Sequence, residues 1–226
     1  LGIITLAATL FVLQETNSER QKSLRLVSVA VDYLSLTKNK QFLLFAINMG
    51  FHTSIFYAFL NFLPFAFKHL GYSASEFGYY IMLLPTSFIV GNLISRKLTP
   101  ILGITKMVRM GSLIIVAGVG VMAGLVFLGF ESAWGLVLPG MVYSLAVGFS
   151  LPNATMGAIN AVGRSVKGLG SGLAGSLQML LGSGIAASTI LLGAAEDTRI
   201  GLGILLLVAI ASFVTTLYLV EDSEDA

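Results

Sequence analysis

Cysteine is absent from this chain of 226 residues, so it forms no disulfide and offers no thiolate to a metal. Its two histidines are too few to build a metal site by themselves, and no cofactor is indicated. Charge is equally scarce: 11% of residues are charged and 56% hydrophobic, against roughly a quarter charged in soluble domains. A soluble fold of this length has no interior large enough for so much apolar surface. The glycine-rich runs Gly163-Arg164-Ser165 and Gly168-Leu169-Gly170 follow no strand pattern, so neither nucleotide nor nucleic-acid binding is indicated. No nucleophile-base pair stands out among the apolar segments, which argues against an enzyme.

Apolar length fills the chain instead. Stretches over residues 41–67, 77–95, 108–130, 134–160, 168–195 and 199–220 hold no charged residue in their interiors, with the ionisable His52 in the first. A bilayer-spanning helix needs about 20 apolar residues at about 1.5 Å rise each. The fold class expected is therefore an all-α membrane protein with six transmembrane helices. Residues 1–13 are apolar too, but follow no basic n-region and precede no small-residue cleavage site, so they do not read as a signal peptide. At about 20 Å of helical rise they are too short to span. They read as the end of a helix whose beginning is missing, and the chain reads as part of a longer protein. Residues 14–40 then form a connecting loop, and 221–226 an acidic tail.

The basic residues are distributed unevenly. Lys and Arg in short loops are retained on the cytoplasmic side, while acids contribute little to orientation. Arg20, Lys22, Arg25, Lys38 and Lys40 precede the first span; Arg96, Lys97, Lys106 and Arg109 join the second to the third; Arg164 and Lys167 follow the fourth. Of the 13 basic residues, all but Lys68 and Arg199 thus fall on alternate loops. That places residues 14–40 and the C-terminus in the cytoplasm, with Glu196 on the opposite side.

Polar residues at membrane depth are costly without a partner or water, so they point inward. Asn48, His52 and Phe56 recur at i, i+4 and i+8 on one face of the first span. Asn61 falls about 180° from His52, and Pro64 is expected to kink or end that helix. Tyr143, Asn153 and Gln178 lie in the fourth and fifth spans, whereas the third and sixth are aliphatic, as for helices bathed in lipid. An Asn or Gln in a membrane helix serves an interhelical hydrogen bond more often than a ligand. An ionisable residue such as His52 is a functional candidate by default. Gly168, Gly172, Gly175 and Gly182 share a face of the fifth span, where small residues let helices approach closely.

The run from Gly91 to Gly103 contains Arg96 and Lys97 and is followed by Lys106 and Arg109. It resembles the signature loop that major facilitator superfamily transporters place between helices 2 and 3 and, more loosely, between helices 8 and 9. Ser95 stands where an acid is often found. Leu151-Pro152-Asn153-Ala154 and the stretch from Gly168 to Gln178 resemble helices 10 and 11 of the drug/proton antiporter branch, Bcr/CflA-type multidrug exporters. Phe62-Leu63-Pro64-Phe65 and Leu70 to Gly78 are similar to the end of helix 7 and the turn into helix 8.

The resemblance implies the C-terminal half of a twelve-helix transporter: the end of helix 6 at 1–13, the central cytoplasmic loop at 14–40, and helices 7 to 12. Helices 7, 8, 10 and 11 would face a midplane cavity. The partners implied are a small-molecule substrate, protons, the lipid bilayer of a bacterial inner membrane, and an N-terminal six-helix half. The function expected is proton-coupled export of small amphipathic compounds. Phe56, Tyr57, Tyr143 and Met179 would supply an adaptable apolar surface, and Asn48, His52 and Gln178 the polar contacts. No acid lies within a span, so a proton carrier is either His52 or outside this chain. A metabolite transporter, or a non-transporting membrane subunit that kept the scaffold, stands beside this reading.

Overall fold

The computed structural model describes residues 26–163 and 166–220. The helix end expected at 1–13, the basic Arg20, Lys22, Arg25 and Arg164, and the acidic 221–226 lie outside them. The described residues form eight helices and no strand: α1 (Leu26–Lys38), α2 (Lys40–His69), α3 (Ala74–Ile81), α4 (Leu83–Leu102), α5 (Ile104–Phe127), α6 (Ala133–Asn160), α7 (Lys167–Leu191) and α8 (Thr198–Leu217). With α3 and α4 counted as one interrupted span, six are long and apolar enough to cross a membrane.

Capping residues set where these helices start. Asn39 Oδ1 accepts from Phe42 N at 3.1 Å to open α2, while Asn39 Nδ2 donates to the Ala161 carbonyl at 2.6 Å and ties that start to the end of α6. Ser73 and Glu76 form a capping box on α3. Ser132 caps α6 and Asp197 caps α8. Gly103, at φ +78°, is the single residue between α4 and α5; an L side chain is strained there, so glycine is what permits so short a turn.

Three departures from the sequence reading have local causes. The segment read as a loop over 14–40 contains α1, whose Leu36 is buried in a small core with Phe42, Ala158 and Ala174. Of the two outcomes expected at Pro64, a kink or an end, the end does not occur, since α2 continues to His69. The second span is interrupted at Met82, just before Pro85, whose ring removes a backbone donor.

The bundle is assembled by close helix crossings. A Cβ on Gly148 of α6 would collide with the Phe88 carbonyl of α4, and one on Gly91 with the Leu145 carbonyl; a Cβ on either glycine would also come within 3.0 Å of the other's Cα. Gly157 receives the Phe45 ring of α2, Gly50 of α2 receives Leu181 of α7, and Gly111 of α5 faces Ser150 of α6. The main core runs through Phe59, Phe62, Ile115, Met122 and Leu136. At one end, Phe67, Tyr72, Phe77, Tyr80 and Trp134 form a chain of ring contacts with centroids 5.1 to 5.6 Å apart, as aromatic belts do at membrane interfaces.

The least buried spans are Ala74–Leu102 and Lys167–Leu191, with 17% and 22% of their most apolar windows buried, against 44% and 33% for the aliphatic α5 and α8. α4 and α7 flank the cavity, so each lacks neighbours on that side as well as on its outer side.

Candidate functional site

Between α2, α4, α6 and α7 lies an open cavity of about 290 Å³. Its wall takes His52, Thr53, Phe56 and Tyr57 from α2, Pro85 and Phe88 from α4, Tyr143, Ser144, Val147 and Leu151 from α6, and Gln178 and Met179 from α7. Among the described residues, none of α5 or α8 and no carboxylate, Lys or Arg lines it. Of the residues singled out in the sequence as pathway contacts, six meet here: His52, Phe56, Tyr57, Tyr143, Gln178 and Met179.

Most polar groups in this wall are held by other parts of the protein. Tyr143 OH donates to the His52 carbonyl at 2.8 Å, and its ring packs edge-on against Phe59 with centroids 5.2 Å apart. Ser144 Oγ donates to the Leu84 carbonyl at 2.5 Å. Gln178 Nε2 donates to Thr53 Oγ1 at 2.8 Å, and Tyr57 OH contacts Met179 Sδ at 3.4 Å. Both links join α2 to α7 across the floor of the cavity. Gln178 Oε1 has no hydrogen-bond partner among the described residues, so it is an acceptor available to a bound molecule. The half-exposed Phe56 and Met179 complete an apolar, neutral surface.

Asn48 takes a different position. It shares a face with His52, yet its amide lies between α2, α5 and α8, where Nδ2 is 3.0 Å from Ser212 Oγ, 3.2 Å from Ser112 Oγ and 3.3 Å from Thr215 Oγ1. It is not part of the cavity wall. The three hydroxyls around it were not singled out in the sequence, because single Ser and Thr residues in apolar helices carry no pattern.

The loop between the second and third spans also resolves into distinct roles. Gly91 is buried at the α4–α6 crossing, Gly103 makes the turn, and Arg96, Lys97 and Lys106 are exposed. Arg109 Nη2 reaches the carbonyls of Thr216 and Leu219 at 3.4 and 3.5 Å, a favourable place for a cation at the C-terminal end of α8. Asn153 of α6 donates to Ser95 Oγ at 2.9 Å and to the Phe149 carbonyl at 2.6 Å, and accepts from Thr99 Oγ1 at 3.0 Å. Ser95, at the position where an acid is often found, is thus bonded within a neutral cluster; Pro152 is exposed on α6. Gly182 meets Thr53 and Tyr57 of α2, whereas a Cβ on Gly168, Gly172 or Gly175 would meet nothing within 4 Å.

Among the described residues no group of three or more His, Asp or Glu could hold a metal. The lining of the cavity suits enclosing a small, largely apolar molecule and holding its polar edge. Among curated proteins, none matches the chain. The family model of the Major Facilitator Superfamily matches residues 1–187. An all-helical bundle with six helices long and apolar enough to cross a membrane agrees with that match, and the chain belongs to the Major Facilitator Superfamily of multi-pass membrane transporters.

Proposed function

We propose that this protein exports small amphipathic compounds across a bacterial inner membrane in exchange for protons. The chain supplies one wall of the substrate site and an N-terminal six-helix half supplies the other. The observation that carries the reading is the cavity of about 290 Å³ whose aromatic and thioether lining holds no charged side chain. Such a surface accommodates varied apolar shapes, while an organic anion calls for a cation that this wall lacks. The resemblance of the segments around Pro152, Asn153 and Gly168 to Gln178 to drug/proton antiporters supports the same reading.

Within it, His52, Phe56, Tyr57, Tyr143, Gln178 and Met179 form the substrate pathway, and Asn48 holds α2 to the helices behind it. Arg96, Lys97, Lys106 and Arg109 lie on the cytoplasmic side, as does the C-terminus. Among the described residues of the cavity wall His52 is the one histidine, beside the weakly acidic Tyr57 and Tyr143, and the imidazole is the side chain suited to exchanging protons near neutral pH, which makes it the coupling candidate on this side. The test is resistance and proton-driven efflux in an efflux-deficient host expressing the protein or His52→Ala. Efflux of amphipathic dyes that collapses with the proton gradient is expected. Dye accumulation unaffected by the protein, or by the gradient, overturns the reading; unchanged pH dependence in His52→Ala removes the histidine from coupling.

A further inference from the structure

The cluster behind the cavity has hydrogen-bonding capacity that the protein leaves unfilled. Asn48 and His52 are both fully buried. Asn48 Nδ2 is surrounded by four oxygens, Ser212 Oγ at 3.0 Å, the Ser212 carbonyl at 3.1 Å, Ser112 Oγ at 3.2 Å and Thr215 Oγ1 at 3.3 Å. An amide nitrogen has two hydrogens to share among them. Its own oxygen, Oδ1, has no partner, and neither does His52 Nδ1, although His52 Nε2 lies 3.3 Å from Ser112 Oγ. Two unpaired polar atoms in a bundle sheathed by lipid are expensive, because no bulk water reaches them.

The chemistry of the two atoms selects the ligand. Asn48 Oδ1 accepts only, and His52 Nδ1 donates or accepts according to tautomer. They sit one helical turn apart on one face of α2, beside three hydroxyls. A partner that both donates and accepts satisfies them together. A cation does not, since it cannot pair with a donating His52 Nδ1 and, among the described residues, no carboxylate stands in the cluster to balance a charge. His52 also lines the open cavity, which provides the way in.

We propose that one water molecule is bound between α2, α5 and α8, donating to Asn48 Oδ1 and paired with His52 Nδ1. The site is polar, and His52, though fully buried itself, adjoins the open cavity; polar partners of this kind are what a stable buried water needs. The water makes His52 the link between the cavity and the hydroxyls of Ser112, Ser212 and Thr215. The proposal stands on the bundle's geometry and is independent of what is transported.

The test uses the protein in lipid nanodiscs with nitrogen-labelled histidine. There are two histidines in the chain, so His69→Ala assigns the His52 signals directly. A magnetisation-transfer peak between water and the His52 ring is expected, and it should vanish in Asn48→Leu, where an apolar side chain of similar size displaces the water. A peak that persists in Asn48→Leu comes from cavity water and overturns the proposal, as does no peak in the unsubstituted protein. Should Asn48→Leu not fold, a map of the unsubstituted protein that resolves waters decides: density in reach of both Asn48 Oδ1 and His52 Nδ1 is expected, and an empty position, or density that depends on sodium, overturns it.

Discussion

Gly148 and Gly91 show how a single hydrogen in place of a methyl group sets the geometry of the cavity. They lie within one turn of Phe88, Val147 and Leu151 in the cavity wall, and their helices approach closely because neither has a Cβ. Gly148→Ala drives a methyl into the Phe88 carbonyl, and overpacking of this kind costs about 1 to 3 kcal/mol. Gly124→Ala is the control, since a Cβ there meets nothing within 4 Å. A lower melting temperature for Gly148→Ala than for Gly124→Ala is expected, read from the fluorescence of the single tryptophan. Gln178 carries the second prediction at this scale. Gln178→Leu removes the acceptor Oε1 and the bond to Thr53, and one neutral hydrogen bond is worth about 1 kcal/mol, roughly fivefold in affinity. Uptake into inverted vesicles should show KM raised by about that factor for substrates with a hydrogen-bond donor, and unchanged KM for those without one.

Between elements, most of the specific bonding consists of small polar side chains reaching across helix crossings. Asn153 joins α6 to α4 through Ser95 and Thr99. Interhelical hydrogen bonds in membranes average about 0.6 kcal/mol and reach about 1.7. Asn153→Ala should therefore lower unfolding free energy by about 1 to 2 kcal/mol, because two bonds are lost together. Steric-trap unfolding measures this, and no change would mean that Ser95 and Thr99 re-pair without loss. Asn153 and Gln178 were legible in the sequence as inward polar residues, since lipid forbids the alternative. Their partners were not. Thr53, Ser95 and Thr99 are separated from them by 54 to 125 residues, and no local pattern encodes which helix a side chain will meet. The break at Met82 had a local signal in Pro85, masked by an apolar run that continues through it.

At the scale of the molecule, the reading rests on loops alternating between two sides of a bilayer. The chain has no native cysteine, so single cysteines can be introduced without background. Lys106→Cys and Glu196→Cys lie at opposite ends of the bundle, at the start of α5 and just before α8. A membrane-impermeant thiol reagent applied to intact cells should label Glu196→Cys and reach Lys106→Cys only after permeabilisation. Labelling of both from one side contradicts the arrangement of helices described here. The cavity is open rather than enclosed, and the wall of an N-terminal half is proposed to complete it.

By itself the sequence determined that six helices cross a membrane and that the chain resembles the major facilitator superfamily. A bilayer tests each segment locally, for apolar length and for backbone groups satisfied within the helix. Only the tertiary structure decided which face of each helix meets which neighbour. Asn48 and His52 share a face by spacing, yet one amide turns into the hydroxyls of α5 and α8 while the histidine beside it lines the cavity. That division depends on where helices distant in sequence cross, and the crossings are set by close backbone contacts at glycines such as Gly91, Gly148 and Gly157, which no single segment specifies alone.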